Sequence, residues 1–367
     1  MFINKIERET FLKSFQMVIG IVERKQPLPI LSNVLIRKNN NKISFVATDL
    51  EIQMESHTEF DSEATDTAIT VSAKKLQEII RVLPDKSTFS IEIQDNKLII
   101  KSNKSRFNLQ TLPAQDFPLI SDQVKDSTTV NIKQSTLKEL LSKVQYSMAQ
   151  QDIRYYLNGV LLVLDGQHIK LIATDGHRLA FASAKFSGVD KKQEVIISRK
   201  TAIELSKLLS DTDDLVKLEL AEKQIRISLP EVMLTSKIID GKFPDYDRVI
   251  PNYSNNLILD RLVLSQSLQR VAVLSNEKFR GVRFVLTEKN LKIISSNNEQ
   301  EEAQEEIEND YHGPALDIGF NVTYLLDGIN NLTSQQIMLS FGDPNSSILI
   351  SIPQDDNFKY VVMPMRI

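Results

Sequence analysis

Apolar positions along this chain follow two rhythms that alternate in a fixed order. Three segments space them three and four residues apart, which marks one face of a helix: ETFLKSFQMVIGIV, QSTLKELLSKVQYSM and SQSLQRVAVLS. Three apolar runs predict strands: PILSNVLIR at 29–37, YYLNGVLLVL at 155–164 and FRGVRFVL at 279–286. Each is followed by a strand running into a polar turn: ISFVATDLE at 43–51, IKLIATDGHR at 169–178 and LKIISSNNEQ at 291–300. A second helical segment then comes after a short strand end: VSAKKLQEIIRVL from Val71, ISRKTAIELSKLL from Ile197 and IGFNVTYLLDGINNL from Ile318.

The spacing of these signals makes them copies. Asp49 to Asp175, Val71 to Ile197 and Phe117 to Phe243 are each 126 residues apart, while Asp175 to Asn297 is 122 and Ile197 to Ile318 is 121. Such a period denotes three tandem domains differing in loop length, not a short-period solenoid. The polar segments SDQVKDSTT and NYSNN place the boundaries, giving domains 1–125, 126–255 and 256–367. Alternating strands such as FSIEIQDNKLIIKS predict antiparallel sheets, each covered by two helices, so the class is α+β.

Composition narrows the function. The chain is 41% hydrophobic and 25% charged, as expected of an ordinary globular protein. It has no stretch near the ~18 uninterrupted apolar residues of a membrane span and no apolar signal core at its start, so a cytoplasmic location and no membrane contact are expected. It has no Cys, and its four His are scattered, which predicts no cofactor and no metal site. A net charge of −4 argues against a binder that grips nucleic acid through many phosphates.

The charges are patterned. In the second helix of the first repeat, Leu76, Ile79, Ile80 and Leu83 form the expected buried stripe, with Lys74, Glu78 and Arg81 on another face. The second repeat has Leu205, Leu208 and Leu209 against Lys200, Glu204 and Lys207. In the third, the equivalents Asn321, Leu325 and Gly328 are uncharged, so any basic surface is uneven. EQEEAQEEIEND at 299–310 carries seven carboxylates in twelve residues and reads as a charged sheet edge or a docking edge. KSNKSRFNLQ in the first repeat is its basic opposite, and such a pair suits head-to-tail self-association. Asp175 and His177 could form an acid–base pair, but no nucleophile pattern, phosphate loop or metal-ligand spacing accompanies them, so no catalytic residue is assigned. A repeat scaffold that binds peptides but not DNA is the remaining alternative.

With three repeats in hand, ordered strings carry a resemblance over the whole length: LPIL at 28–31, TDLE at 48–51, FPLI at 117–120, QDIRYYLNG at 151–159 and ATDGHRLA at 173–180. DGKFPDYDRVIP at 240–251, LSNEKFRGVR at 274–283, NNEQEEAQEE at 297–306 and YVVMPMRI at 360–367 continue it. The chain resembles the beta sliding clamps of bacterial DNA polymerase III. The resemblance implies a homodimeric ring of six domains, with twelve helices lining a pore around double-stranded DNA and sheets forming the outer wall. It implies no enzymatic activity, non-sequence-specific DNA contact, and tethering of the polymerase alpha subunit, the clamp loader delta subunit, other polymerases, ligase and mismatch-repair proteins.

The same resemblance implies three sets of residues. A partner-peptide pocket would draw on Leu157, Thr174, Gly176, His177, Arg178 and Leu179, and on Pro244, Arg248 and Val249. Asn321, Tyr324 and Ser347 would join it, with the terminal Val361, Val362, Met363, Pro364, Met365 and Arg366. In it, thioethers and methyls would adapt to several partners while Arg178 and Arg248 hold carboxylate or amide groups at the rim. DNA contacts would fall on Lys25, Lys74, Gln151, Tyr155 and Tyr156; on an alternating strand only one of the two tyrosines faces inward. The subunit interface would pack Val273 and Leu274 on Phe107 and Leu109, with Glu301, Glu302, Glu305 and Glu306 facing Lys75, Lys104 and Arg106.

Overall fold

A computed structural model describes residues 3–23, 28–39, 41–59, 66–121 and 127–366. Lys25 and the boundary expected near 125 lie outside the described residues. Six α-helices are described: α1 (Arg8–Ile19), α2 (Ala73–Val82), α3 (Gln134–Val144), α4 (Arg199–Leu208), α5 (Arg261–Ala272) and α6 (Val322–Asn330). Strand pairs among the described residues are antiparallel, as the alternation predicts.

By contact density the chain divides into two compact units, residues 1–134 with 207–238 and residues 135–206 with 239–367. The first is built on a twelve-stranded sheet. Within it the strand Ile52–Glu59 of the first repeat pairs with Val232–Lys237 of the second, Met54 opposite Leu234. The second unit holds an eight-stranded and a four-stranded sheet. In its larger sheet, Arg178–Lys185 of the second repeat pairs with Asp355–Val362 of the third, Leu179 opposite Val361. Adding 126 to both members of the pair Ile52 and Ser236 gives Arg178 and Val362, so the register is the same and one joining device is used twice.

Other repeated details have local causes. The first residue of each leading helix donates its backbone N–H to a carbonyl just before a strand: Arg8 to Ser87, Gln134 to Asp214 and Arg261 to Gln335. This satisfies one donor that a helix start leaves without an intrahelical acceptor. Small apolar clusters also repeat. Leu35, Val46 and Phe117 pack together in the first repeat; Leu161, Ile172 and Phe243, each 126 residues on, lie in one larger cluster in the second.

The structure corrects three expectations. The apolar runs at 29 and 155 begin as short 3₁₀ turns, Pro29–Ser32 and Tyr155–Leu157, and their strands start only at Asn33 and Gly159. The charged face does not repeat on α4, because Glu204 is buried and Leu208 half-buried, while on α2 Ile79 is only half-buried. The third helix also begins later. It starts four residues after Ile318, whereas α2 and α4 start two after Val71 and Ile197. Leu325 and Gly328 therefore fall on its buried face, and Asn321 becomes its cap, accepting from the backbone N–H groups of Thr323 and Tyr324.

Gly328 shows how tightly α6 is seated. A Cβ there would lie 2.3 Å from the ring of Tyr360, which is fully buried. Gly to Ala at a free helix position gains about 1 kcal/mol. Here overpacking should reverse the sign, and Gly328→Ala is expected to lose about 1–3 kcal/mol in urea unfolding.

Candidate functional site

The recurring polar turns are conformational devices. In the first repeat, Asp49 Oδ1 accepts the N–H groups of Glu51 and Ile52, and Leu50 sits at φ 77°. In the second, Asp175 Oδ1 accepts those of His177 and Arg178, with Gly176 at φ 90°. Asn297 does the same for Glu299 and Glu301 in the third. A short polar side chain that bonds the backbone two to four residues on closes a turn, so the spacing that revealed the repeats is the spacing of turns. The Asp175 carboxylate is thereby consumed by its own turn and by Arg178, not by an acid–base pair with His177.

Arg178 departs from the rim role expected of it. Its side chain is 10% exposed and each guanidinium nitrogen is engaged. Nε donates to Asp175 Oδ2 at 3.0 Å, Nη1 to Asp327 Oδ2 at 2.6 Å and Nη2 to the Tyr146 carbonyl at 2.6 Å. The guanidinium carbon lies 4.3 Å from the centroid of Tyr324, a cation–π contact. Burial opposes the charge, but Tyr360, Asp327 and Asp175 outweigh it and hold the pKa above the ordinary guanidinium value. Tyr360 donates its hydroxyl to the Tyr324 carbonyl at 2.8 Å, and burial raises its own pKa. Arg178 is thus the hub that fixes the second-repeat turn against α6.

Some of the predicted pocket residues are brought together near this hub: His177, Arg178 and Tyr324 line one cleft. Leu179 and Val361 pair across the sheet and belong to the cluster containing Phe243 and Tyr246. Leu157 and Thr174 are buried beneath. The terminal segment is pinned by two backbone bonds, from Met363 N–H to the His177 carbonyl and from Met365 N–H to the Gly319 carbonyl, each 2.9 Å. Met363 nevertheless leaves 48% of its surface exposed, and Val249, on the turn after Tyr246–Arg248, is also exposed. Pro244 and His177 are exposed, and Gly176, Tyr324, Ser347, Pro364 and Met365 are half-buried. Arg366 is exposed and Val362 buried. Arg248 remains on the surface, paired with Asp245 at 2.8 Å, so of the two arginines it alone suits the rim.

Sequence reasoning missed Arg154, Asp152, Tyr146 and Asp327. Arg154 forms a bidentate pair with Asp152, pulling that carboxyl down to about 2, and its guanidinium covers Gly176, where a Cβ would lie 2.9 Å from Nη2. The glycine in ATDGHR was the available signal. Tyr146 and Asp327 carry no local motif, since only the tertiary fold brings them to Arg178.

The DNA candidates are partly regrouped. Lys74 is exposed, 3.7 Å from Glu78. Gln151 is exposed at φ 56° and lines a cleft of about 440 Å³ with Tyr146, His177 and Tyr324. Tyr155 and Tyr156 stand on a 3₁₀ turn, so strand alternation does not apply: Tyr155 is exposed, Tyr156 half-buried against the apolar cluster, and their rings meet edge-on at 5.9 Å.

Of the interface candidates, Arg106, Phe107, Leu109, Glu302, Glu305 and Glu306 lie on two incompletely paired strands, while Lys75 is on α2 and Val273 and Leu274 follow α5. Glu302–Glu308 is the outer strand of the four-stranded sheet. Ser105–Leu112 pairs with Lys97–Ser102 on one side, but meets its other neighbour only at Thr111 and Leu112. Val273 is 78% exposed and Leu274 half-buried; Phe107 is half-buried and Leu109 only 8% exposed. Lys75, Lys104, Arg106, Glu301 and Glu302 are exposed. Glu305 is held by Arg270 at 2.6 Å and Glu306 lies 3.4 Å from Lys292, so both already have partners within the chain.

These features define a class: tandem α+β repeats sharing sheets, with the terminal strand laid beside a turn of the preceding repeat. The profiles of the DNA polymerase III beta subunit match residues 1–121 (N-terminal domain), 131–245 (central domain) and 247–366 (C-terminal domain). A beta sliding clamp of Pseudomonas putida is 45% identical, covering 99% of both chains. The crystal structure of a sliding clamp from Pseudomonas aeruginosa with ligand superposes with a TM-score of 0.95 at 42% identity, again covering 99% of both. A further P. aeruginosa sliding clamp structure, bound to griselimycin, is 43% identical over 99% of both chains with a TM-score of 0.95. The chain belongs to the DNA polymerase III beta subunit family.

Replacing Arg178 with Met keeps the stem but strands Asp175 and Asp327. Arg178→Met is expected to cost about 3 kcal/mol in urea unfolding, as removal of one partner from a buried ion pair does.

Proposed function

We infer that two copies of this chain close head to tail into a ring around duplex DNA and tether replication and repair proteins, the polymerase first among them, through the pocket of Leu179, Val361, Met363 and Val249. The observation that carries the reading is the terminal strand: it ends in the exposed side chain of Met363 beside the Asp175 turn, in a chain whose relatives are sliding clamps. The griselimycin-bound relative supports a ligand-binding pocket in this fold. The chain acts without catalysis of its own, as an accessory subunit, and its domains meet at the polar linkers near 125 and 255. Among the described residues no helix is long and apolar enough to cross a membrane.

Repeat geometry supports the ring. Ile52–Glu59 and Arg178–Lys185 each pair with a strand of the next repeat, and the corresponding third-repeat strand is Glu302–Glu308. The first-repeat counterpart of Val232–Lys237, 126 residues earlier, is Arg106–Thr111. A second copy supplies the missing neighbour for each. Basic Lys104 and Arg106 then face the acidic strand, with Val273 and Phe107 as apolar contact. Surface ion pairs of this kind contribute about 0–1 kcal/mol each and mainly set orientation.

A closed ring needs few phosphate contacts, which fits a net charge of −4. A binder gripping six to ten phosphates loses about 10³–10⁵ in affinity between 50 and 200 mM salt. After loading by the matching clamp loader, the chain should stay on nicked circular DNA at high salt and leave linearised DNA rapidly. Equal loss from both would overturn the ring in favour of a peptide scaffold. Val273→Glu with Leu274→Lys should sediment as a monomer of unchanged far-UV circular dichroism; a persisting dimer would refute the interface.

A further inference from the structure

A second cleft in the carboxy-terminal unit, about 550 Å³, lies beside the pocket and is not one of its predicted parts. Its floor is the same sheet face. Ser351 pairs with Lys359 and Leu349 with Val361, so side-chain alternation puts Ser351 and Lys359 on the face that carries Val361. Its wall is continuous with the pocket wall, because Asp247 lines the cleft and is followed by Arg248 and Val249. Leu349 and Ile250, also cleft residues, pack against the cluster that contains Leu179.

The chemistry of the cleft differs from that of the pocket. Its charged lining is three carboxylates, Asp247, Asp355 and Asp356, against one ammonium, that of Lys359, which lies 6.0 Å from the Phe181 ring. On the floor, Ser351 is 7% exposed and its hydroxyl has no hydrogen-bond partner among the described residues. A buried hydroxyl without a partner is costly, and its oxygen can accept from a cationic donor. Carboxylate surplus and free acceptor select the same guest.

We propose that this cleft is a further compartment of the peptide pocket, and that it takes a Lys or Arg side chain flanking the apolar anchor of a partner peptide. The Ser351 oxygen accepts a hydrogen bond from the guest's ammonium or guanidinium, and Asp247 and Asp356 supply the field. The proposal rests on the pocket reading above, and its test separates the two.

The probe is griselimycin carrying a flexible linker to three lysines or to three glutamates, with untailed griselimycin as reference, titrated by calorimetry. At about 50 mM salt the lysine tail should bind about tenfold tighter than the glutamate tail, and the gain should shrink at about 0.5 M. Asp247→Asn with Asp356→Asn should abolish the gain and leave untailed griselimycin unchanged, and Ser351→Ala should reduce the gain about threefold. Equal affinity of the two tails, or a gain that survives the double Asn variant, overturns the compartment while the pocket stands. Failure of untailed griselimycin to bind overturns the pocket reading, and the compartment with it.

Discussion

The pairing of Arg178–Lys185 with Asp355–Val362 is the constraint on which the candidate site depends. It brings a turn of the second repeat and the end of the third to one end of the central strand pair of the sheet, although they are far apart in sequence. Backbone hydrogen bonds fix the register, and register decides which side chains face outward. A slip of one residue would turn Val361 and Leu179 away from the pocket and expose Tyr360 and Ala180. The same device joins the first and second repeats at Ile52–Glu59, where it builds sheet but no comparable apolar terminus. The two strands differ in their continuations. Val232–Lys237 runs on into Ile238 and Ile239, whereas Asp355–Val362 runs out into Met363, whose N–H is taken by His177 and whose side chain is left half exposed.

A site for several partners needs an adaptable surface on a rigid base, and the two properties are divided between residues. Rigidity comes from the Asp175 turn, the threefold engagement of Arg178 and the packing of Tyr360 against Tyr146 at 5.4 Å. Adaptability comes from Met363 and Val249, which make few polar commitments. An arginine with its donors spent inward cannot also serve as a rim clamp, which is why the surface role passes to Arg248.

Much of this was legible in the sequence. The 126-residue period revealed the repeats because turn chemistry is local: Asp49, Asp175 and Asn297 each bond the backbone within four residues, so their signal survives in a linear string. Features that depend on helix starts were less legible. Phe320, and not Ile318, precedes the start of α6 as Val71 and Ile197 precede those of α2 and α4, so an offset counted from Ile318 is two residues out and places Leu325 and Gly328 on a surface although both are buried. Tyr155 and Tyr156 looked like strand residues because aromatics favour strands, but the chain must turn there to deliver Leu157 N–H to the Arg154 carbonyl. Glu204, charged and at a surface offset, is buried, a tertiary outcome that no local pattern encodes.

Charge is sorted along the molecule in a way that reflects how it would hold DNA. Acidic clusters occur on one strand, Glu302–Glu308, and around the cleft beside the pocket, while exposed Lys74 and Lys75 sit on α2. A protein that grips DNA by affinity carries its basic surplus wherever phosphate passes and is slowed by each contact it must break. One that holds by enclosure is free to be acidic elsewhere, because retention no longer depends on counterion release. Acidic surface then becomes available for other uses, such as keeping an otherwise unpaired edge from promiscuous strand pairing. A net negative charge in a DNA-associated chain is then a consequence of topology and not an exception to electrostatics.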